Sequence, residues 1–187
     1  MNFLMSFADF FAKGGPLMWP LLLLSVLSLA VLVERFLVFQ ASACPKFRET
    51  PEEALKAFSC AKGYESFAEA LKTGRETAVV SAGNAVVARL EARLSILSVI
   101  ARLSPLLGLL GTVFGMIDTF SAVASAPGGV EMTALADGIW QALITTAAGL
   151  SIAIPTILGL SYFESRVDDV TERLNRAGDL ILDGDAA

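Results

Sequence analysis

Three long runs of apolar residues constrain this 187-residue chain more than any other feature. Gly14 to Val33 is free of charge for 20 residues, Gly138 to Phe163 for 26, and Leu103 to Val130 holds one charge, Asp118. A helix needs about 20 apolar residues to cross a bilayer core, and lipid forces each crossing to satisfy its backbone internally. The hydrophobic fraction of 55% and the mean hydropathy of +0.64 lie above those of ordinary soluble domains of this length. The fold class expected is therefore an all-α integral membrane protein with three transmembrane helices, two of them extended into a cytoplasmic helical region.

The basic residues orient those crossings. Lys13 is the one basic residue before the first run, and residues 131–137 have none. The other 13 of the 14 lysines and arginines lie in 34–102 or after Phe163. The positive-inside rule then puts the N-terminus outside, with the middle region and the C-terminus in the cytoplasm. The expected order is an outer segment 1–15, spans at 16–39, 103–124 and 136–162, a cytoplasmic insert 40–102, a periplasmic turn 125–135 and a cytoplasmic C-terminal helix 163–187. Glu34-Arg35 directly after the first run, and the lack of a basic leader, favour a retained span over a cleaved signal peptide. Ala41-Ser-Ala-Cys44 is only a faint cleavage box. Cys44 and Cys60 then face a reducing cytosol, so no disulfide is expected.

Within the outer segment, Phe3, Leu4, Phe7, Phe10 and Phe11 give some amphipathic character. In the insert, Thr50-Pro51-Glu52-Glu53 reads as a helix start, with helices expected at 51–61 and 64–73 around Gly63. From Glu76 the pattern predicts an unbroken helix into the second span, kinked near Pro105. Ala126-Pro127-Gly128-Gly129 is a turn. After the third span, Phe163, Val167, Val170, Leu174, Ala177 and Ile181 repeat at spacings of four and three. They form a seam that packs on its own insert or on another subunit.

Candidate functional residues come from the faces of spans two and three. Gly108, Thr112, Gly115 and Thr119 share one helical face, as do Ala142, Thr146, Gly149, Ala153 and Thr156. Hydroxyls facing lipid gain nothing, so such faces serve close packing or a polar path. Taken singly, each threonine is more simply a packing residue bonded to its own helix; together they read as a lining. A hydroxyl both donates and accepts, which suits it to hold water or a passing proton. Asp118 is either an intramembrane acid with a function or an acid at the outer interface. Gln141 is a polar amide that hydrogen-bonds without titrating, and Glu34 with Arg35 reads as an interfacial anchor. There is no histidine, zinc cluster, catalytic triad, paired carboxylate or phosphate loop. Enzyme readings therefore have no chemistry to rest on, and no cofactor is expected. A nearly neutral insert, with 8 basic and 7 acidic residues between Lys46 and Arg93, gives nucleic-acid binding no support.

Ser104-Pro105-Leu-Leu-Gly108-Leu-Leu-Gly111-Thr112-Val-Phe-Gly115-Met-Ile, with Ala142-Leu-Ile-Thr145-Thr146-Ala-Ala-Gly149-Leu-Ser-Ile-Ala-Ile-Pro155, closely resembles the MotA/TolQ/ExbB proton-channel family. Val33-Glu34-Arg35-Phe36 is similar to that family's end of span one. The resemblance covers most of the chain and is closest to the ExbB branch, with a TolQ role as the alternative. It implies a homo-oligomer, a pentamer around a dimer of a one-span ExbD- or TolR-like subunit whose aspartate carries the proton. It implies inner-membrane localisation and a TonB- or TolA-like protein as the driven partner. Thr112 and Thr146 match the family's path-lining threonines, with Thr145, Gly108, Gly115 and Gly149 beside them. Two departures stand out: Gln141 replaces a glutamate common in relatives, and Asp118 is an acid at a position often neutral. The competing readings are a non-conducting membrane scaffold and, more weakly, a solute transporter, for which no inverted repeat is present.

Overall fold

The computed structural model describes residues 14–41, 45, 50–125 and 132–184. The phenylalanine-rich outer segment, most of the faint cleavage box and the Pro127 turn lie outside the described residues. Among those described there are six helices: α1 (Met18–Ala41), α2 (Pro51–Cys60), α3 (Glu65–Thr73), α4 (Glu76–Glu91), α5 (Leu94–Ala124) and α6 (Met132–Gly184). Three stretches are helical, long and apolar enough to cross a membrane: Met18–Gln40, one within Glu76–Ala124 and one within Leu135–Leu182. The chain divides into two compact units. One holds residues up to Val31 together with Ile96–Gly159, and the other holds Leu32–Ser95 together with residues from Leu160 onward.

In the first unit, Met18 and Leu21 of α1 and Ile144 of α6 form a buried cluster, against which Leu107, Ala148 and Ile152 pack. Farther along the same helices, the Ser28 and Thr156 hydroxyl oxygens lie 2.6 Å apart. Thr156 donates its proton to Ile152 O at 2.7 Å, so Ser28 is the donor of the pair. Large apolar side chains elsewhere in this unit point outward, among them Trp19, Leu23, Leu109, Ile117 and Leu158. A soluble monomer would not leave so much apolar surface uncovered, whereas lipid or neighbouring subunits cover it at no cost.

In the second unit, the insert is a set of short helices closed by local chemistry. Thr50 takes the N-cap position in extended backbone, Pro51 opens α2, and Thr50 O accepts the Ala54 N–H at 3.1 Å. Gly63, at φ +93, turns the chain into α3, and its N–H donates to the Glu65 carboxylate at 3.0 Å. That hydrogen bond, the largest of several effects, holds the Glu65 carboxyl below the usual carboxylate range. Phe58, Tyr64 and Phe67 are fully buried, with Phe58 5.6 Å from Tyr64 and 5.2 Å from Phe67 between ring centroids. The seam on α6 is buried within its own chain at Phe163, Val167, Val170, Leu174 and Ala177, and half-buried at Ile181. Phe163 stacks on Phe39 of α1 at 5.2 Å, and Leu174 shares a hollow with Phe67 of α3 and Val79 of α4.

One expectation fails here: the helix from Glu76 does not run unbroken into span two. It stops at Glu91, and Arg93 adopts the left-handed region at φ +68 before α5 begins. A non-glycine residue holds that conformation only where its surroundings compensate. The compensation comes from the end of α1. The Arg35 side chain is buried, and its guanidinium donates to Arg89 O at 3.4 Å and to Leu90 O at 3.2 Å. These two carbonyls are among those a helix leaves unsatisfied at its C-terminus. The Arg93 guanidinium pairs with the Glu34 carboxylate. Glu34-Arg35 is thus more than a surface anchor: it fastens α1 to the break between α4 and α5.

Candidate functional site

Close approach of α5 and α6 generates the site in the first unit. Gly108, Gly111, Gly115 and Thr119 are buried along α5, and Ala142, Thr145, Gly149, Ala153 and Thr156 along α6. The glycines are required by distance. A Cβ on Gly149 would fall 2.5 Å from Ser104 O and 3.1 Å from Gly108 Cα. One on Gly108 would meet Thr146 Cα at 3.1 Å and Thr145 O at 3.2 Å. On Gly115 it would meet Ala142 Cβ at 3.0 Å, and on Gly111 it would overlap the Thr145 side chain. Main chain therefore packs on main chain, as in small-residue contacts between membrane helices.

The hydroxyls are arranged around that contact. Thr146 Oγ1 donates across the helix pair to Gly108 O at 2.9 Å. The Thr145 hydroxyl proton is shared between Gln141 O at 2.9 Å and Gly14 O, just before α1, at 3.2 Å. Thr112 bonds back to Leu109 O at 2.6 Å, and Thr119 to Gly115 O at 2.6 Å. Each of these threonines donates to a carbonyl and keeps lone pairs that can accept from water. None titrates near neutral pH, so these hydroxyls can orient water or relay a proton but cannot store one.

The structure brings Thr145, Thr146, Gly108, Gly115 and Gly149 together at one helix contact. Thr112 sits at its margin, half-buried, and borders an open hollow with Val113, Met116, Ile117 and Phe120. Asp118 is exposed, one residue from buried Thr119. Gln141 is half-buried, its amide nitrogen lying against Gly15. Glu34 and Arg35 belong to the second unit. Sequence reasoning missed Gly111, although it stands three residues from Gly108 and four from Gly115, the spacing of one face. It also missed Ser28, a lone hydroxyl in an apolar run, and Gly14, whose contact with Thr145 spans 131 residues. Among the described residues, no group of three or more His, Cys, Asp or Glu side chains is placed to hold a metal ion.

The family model for MotA/TolQ/ExbB proton channels matches residues 53–176, well over half of the chain, and takes in both helices of this contact. The chain belongs to the MotA/TolQ/ExbB proton channel family. Its relatives carry two of the family's names. It is 36% identical to the Synechocystis biopolymer transport protein ExbB-like 1 over 171 residues, which covers 80% of this chain and 67% of that protein. It is 44% identical to the Vibrio cholerae biopolymer transport protein exbB1 over 81 residues, 43% of this chain and 36% of the relative. It is 36% identical to the Haemophilus influenzae Tol-Pal system protein TolQ over 104 residues, 56% of this chain and 45% of the relative. The chain thus spans less than half the length of the last two. MotA/TolQ/ExbB proteins are inner-membrane proton channels that energise transport rather than a known class of enzyme, and ExbB- and TolQ-like members work with ExbD/TolR-like and TonB/TolA-like partners.

Proposed function

We propose that this chain is the channel subunit of an ExbB–ExbD type complex in the bacterial inner membrane. That complex uses the proton-motive force to energise TonB-dependent outer-membrane transport. The observation that carries the reading is the α5–α6 contact, where a glycine face brings the Thr145 and Thr146 hydroxyls against the facing backbone. In this reading copies of the chain, five by family likeness, surround a one-span ExbD-like subunit that supplies the carrier acid. Thr112, Thr145 and Thr146 line the path, with Gly108, Gly115 and Gly149 holding the two helices close beside them. Asp118 and Gln141 modulate it by charge and polarity. The N-terminus is periplasmic and the C-terminus cytoplasmic. One charge crossing 100 mV releases about 2.3 kcal/mol, which sets the work available per proton.

The deciding experiment is proton uptake into liposomes that hold the chain assembled with its one-span partner, under an imposed potential. Uptake that needs the partner, falls by about tenfold or more in Thr146→Val and survives in Thr146→Ser is the expected result, since a lost hydroxyl is worth about 1.4 kcal/mol or more of barrier. Full uptake in a well-assembled Thr146→Val complex sinks the lining. A second reading, a TolQ-like subunit driving a TolA-like protein, is favoured by the TolQ relative. The two separate by which partner, TonB-like or TolA-like, restores function in cells. A non-conducting scaffold is favoured by the backbone partners of every threonine at the contact, and predicts no uptake with any partner and tolerance of Thr112→Val.

A further inference from the structure

Gly14 and Gly15, just before α1, are seated on α6 by contacts that the lining alone does not explain. Gly15 has φ +73, a conformation that side chains rarely adopt, and a Cβ there would fall 2.5 Å from the Gln141 amide nitrogen. Its carbonyl accepts the Met18 N–H at 3.2 Å, which closes a turn. Gly14 is buried, and its carbonyl takes part of the Thr145 hydroxyl proton at 3.2 Å. Just beyond lies the buried apolar cluster of Met18, Leu21 and Ile144. Thr145 is 1% exposed, pressed on one side by Gly111 and closed on another by this turn.

We propose that the Gly14–Gly15 turn is a stopper: seated on α6 it withholds the Thr145 hydroxyl from water, and proton movement past Thr145 requires it to lift. The inference rests on the proton-path reading above. The geometry suits two states. With the turn lifted, the Thr145 hydroxyl keeps its bond to Gln141 O at 2.9 Å, so no donor is orphaned, while its lone pairs become free to accept from water. With the turn seated, the Thr145 hydroxyl is closed off from bulk solvent. The two glycines are what allow the seat, because any side chain at 15 must displace the Gln141 amide.

The test uses the full chain assembled with its one-span partner in liposomes, with Cys44→Ser, Cys60→Ser and Ile144→Cys as background. Gly15→Val lifts the turn by sterics and backbone preference. Gln141→Ala removes the α6 side chain that lies against Gly15 and leaves the turn's own backbone untouched, which guards against a folding defect in the first variant. Proton flux is read with an internal pH dye, and the Ile144→Cys thiol with a small membrane-impermeant methanethiosulfonate. The expected result is several-fold higher flux together with a newly reactive thiol, both in each variant, and loss of the extra flux when Thr146→Val is added. A reactive thiol with flux at the parental value overturns the stopper, as does a thiol that stays protected in both variants. Extra flux that neither Thr146→Val nor Thr112→Val reduces leaves the turn as the stopper at Thr145 and removes Thr146 and Thr112 from the path.

Discussion

Gly149 and Gly83 are both helical glycines, yet distance gives them opposite consequences. A methyl group at 149 meets the Ser104 carbonyl oxygen, a backbone atom that cannot turn aside. Gly149→Ala should cost about 1–3 kcal/mol by forcing α5 and α6 apart. A methyl group at 83, inside α4, finds the Phe67 ring at an ordinary 3.5 Å. Gly83→Ala should therefore stabilise the protein by about 0.5–1 kcal/mol, through helix propensity and a stiffer unfolded chain. Unfolding of both variants in mild detergent checks the pair, and equal effects would contradict the packing described. Glu65 supplies a pH test at the same scale. Its carboxyl is depressed in the folded state, so its contribution is present above the ordinary carboxylate range and is lost as pH falls through the lowered value. Glu65→Gln should flatten the acid limb of the stability curve, read from unfolding midpoints followed from neutral to acid pH, and an unaltered limb would remove Glu65 from that role.

At the scale of elements, the short helices of the insert and the α6 seam were legible because each is written in local pattern: Thr50-Pro51, Gly63, and apolar residues at fours and threes. The break at Ala92–Arg93 was not. The buried positions Val86, Leu90, Leu94, Leu97 and Ala101 keep helical spacing straight through it, so periodicity gives no signal. What ends α4 comes from some 55 residues away, the guanidinium of Arg35 on its last carbonyls. Arg35→Met should cost about 1.5–3 kcal/mol, the range for hydrogen bonds from a charged donor, and should raise proteolytic nicking near residue 92. An Arg35→Met protein with unchanged stability and digestion pattern would remove Arg35 from that role. The glycine stripe was read nearly correctly, but a face named from spacing alone has no depth. Thr112 lies on its margin and Gly111 at its centre because burial depends on how far the partner helix wraps round. The Gly14–Thr145 contact, like the Ser28–Thr156 pair, joins residues more than 120 apart and has no local signature.

At the scale of the whole molecule, three apolar crossings were visible in composition, whereas topology rests on the distribution of charge. A native thiol offers a direct test. Cys60 ends α2 and is exposed. In a Cys44→Ser background it should react with a membrane-impermeant maleimide in inside-out vesicles and stay unlabelled in intact spheroplasts. Labelling in intact spheroplasts would reverse the orientation and with it the assignment of the two ends.

The α5–α6 contact has a mechanical meaning of its own. Where side chains interdigitate, a helix can shift by letting rotamers hop, each small step absorbed by a flexible group. Between Gly108 and Gly149 there are no rotamers to hop, and little side-chain entropy is lost or regained as the helices meet. The gap is gauged by the radius of the main chain itself. Such a pair behaves as a rail of fixed width, so any working stroke carries the two helices as one body and takes up its slack where side chains are larger.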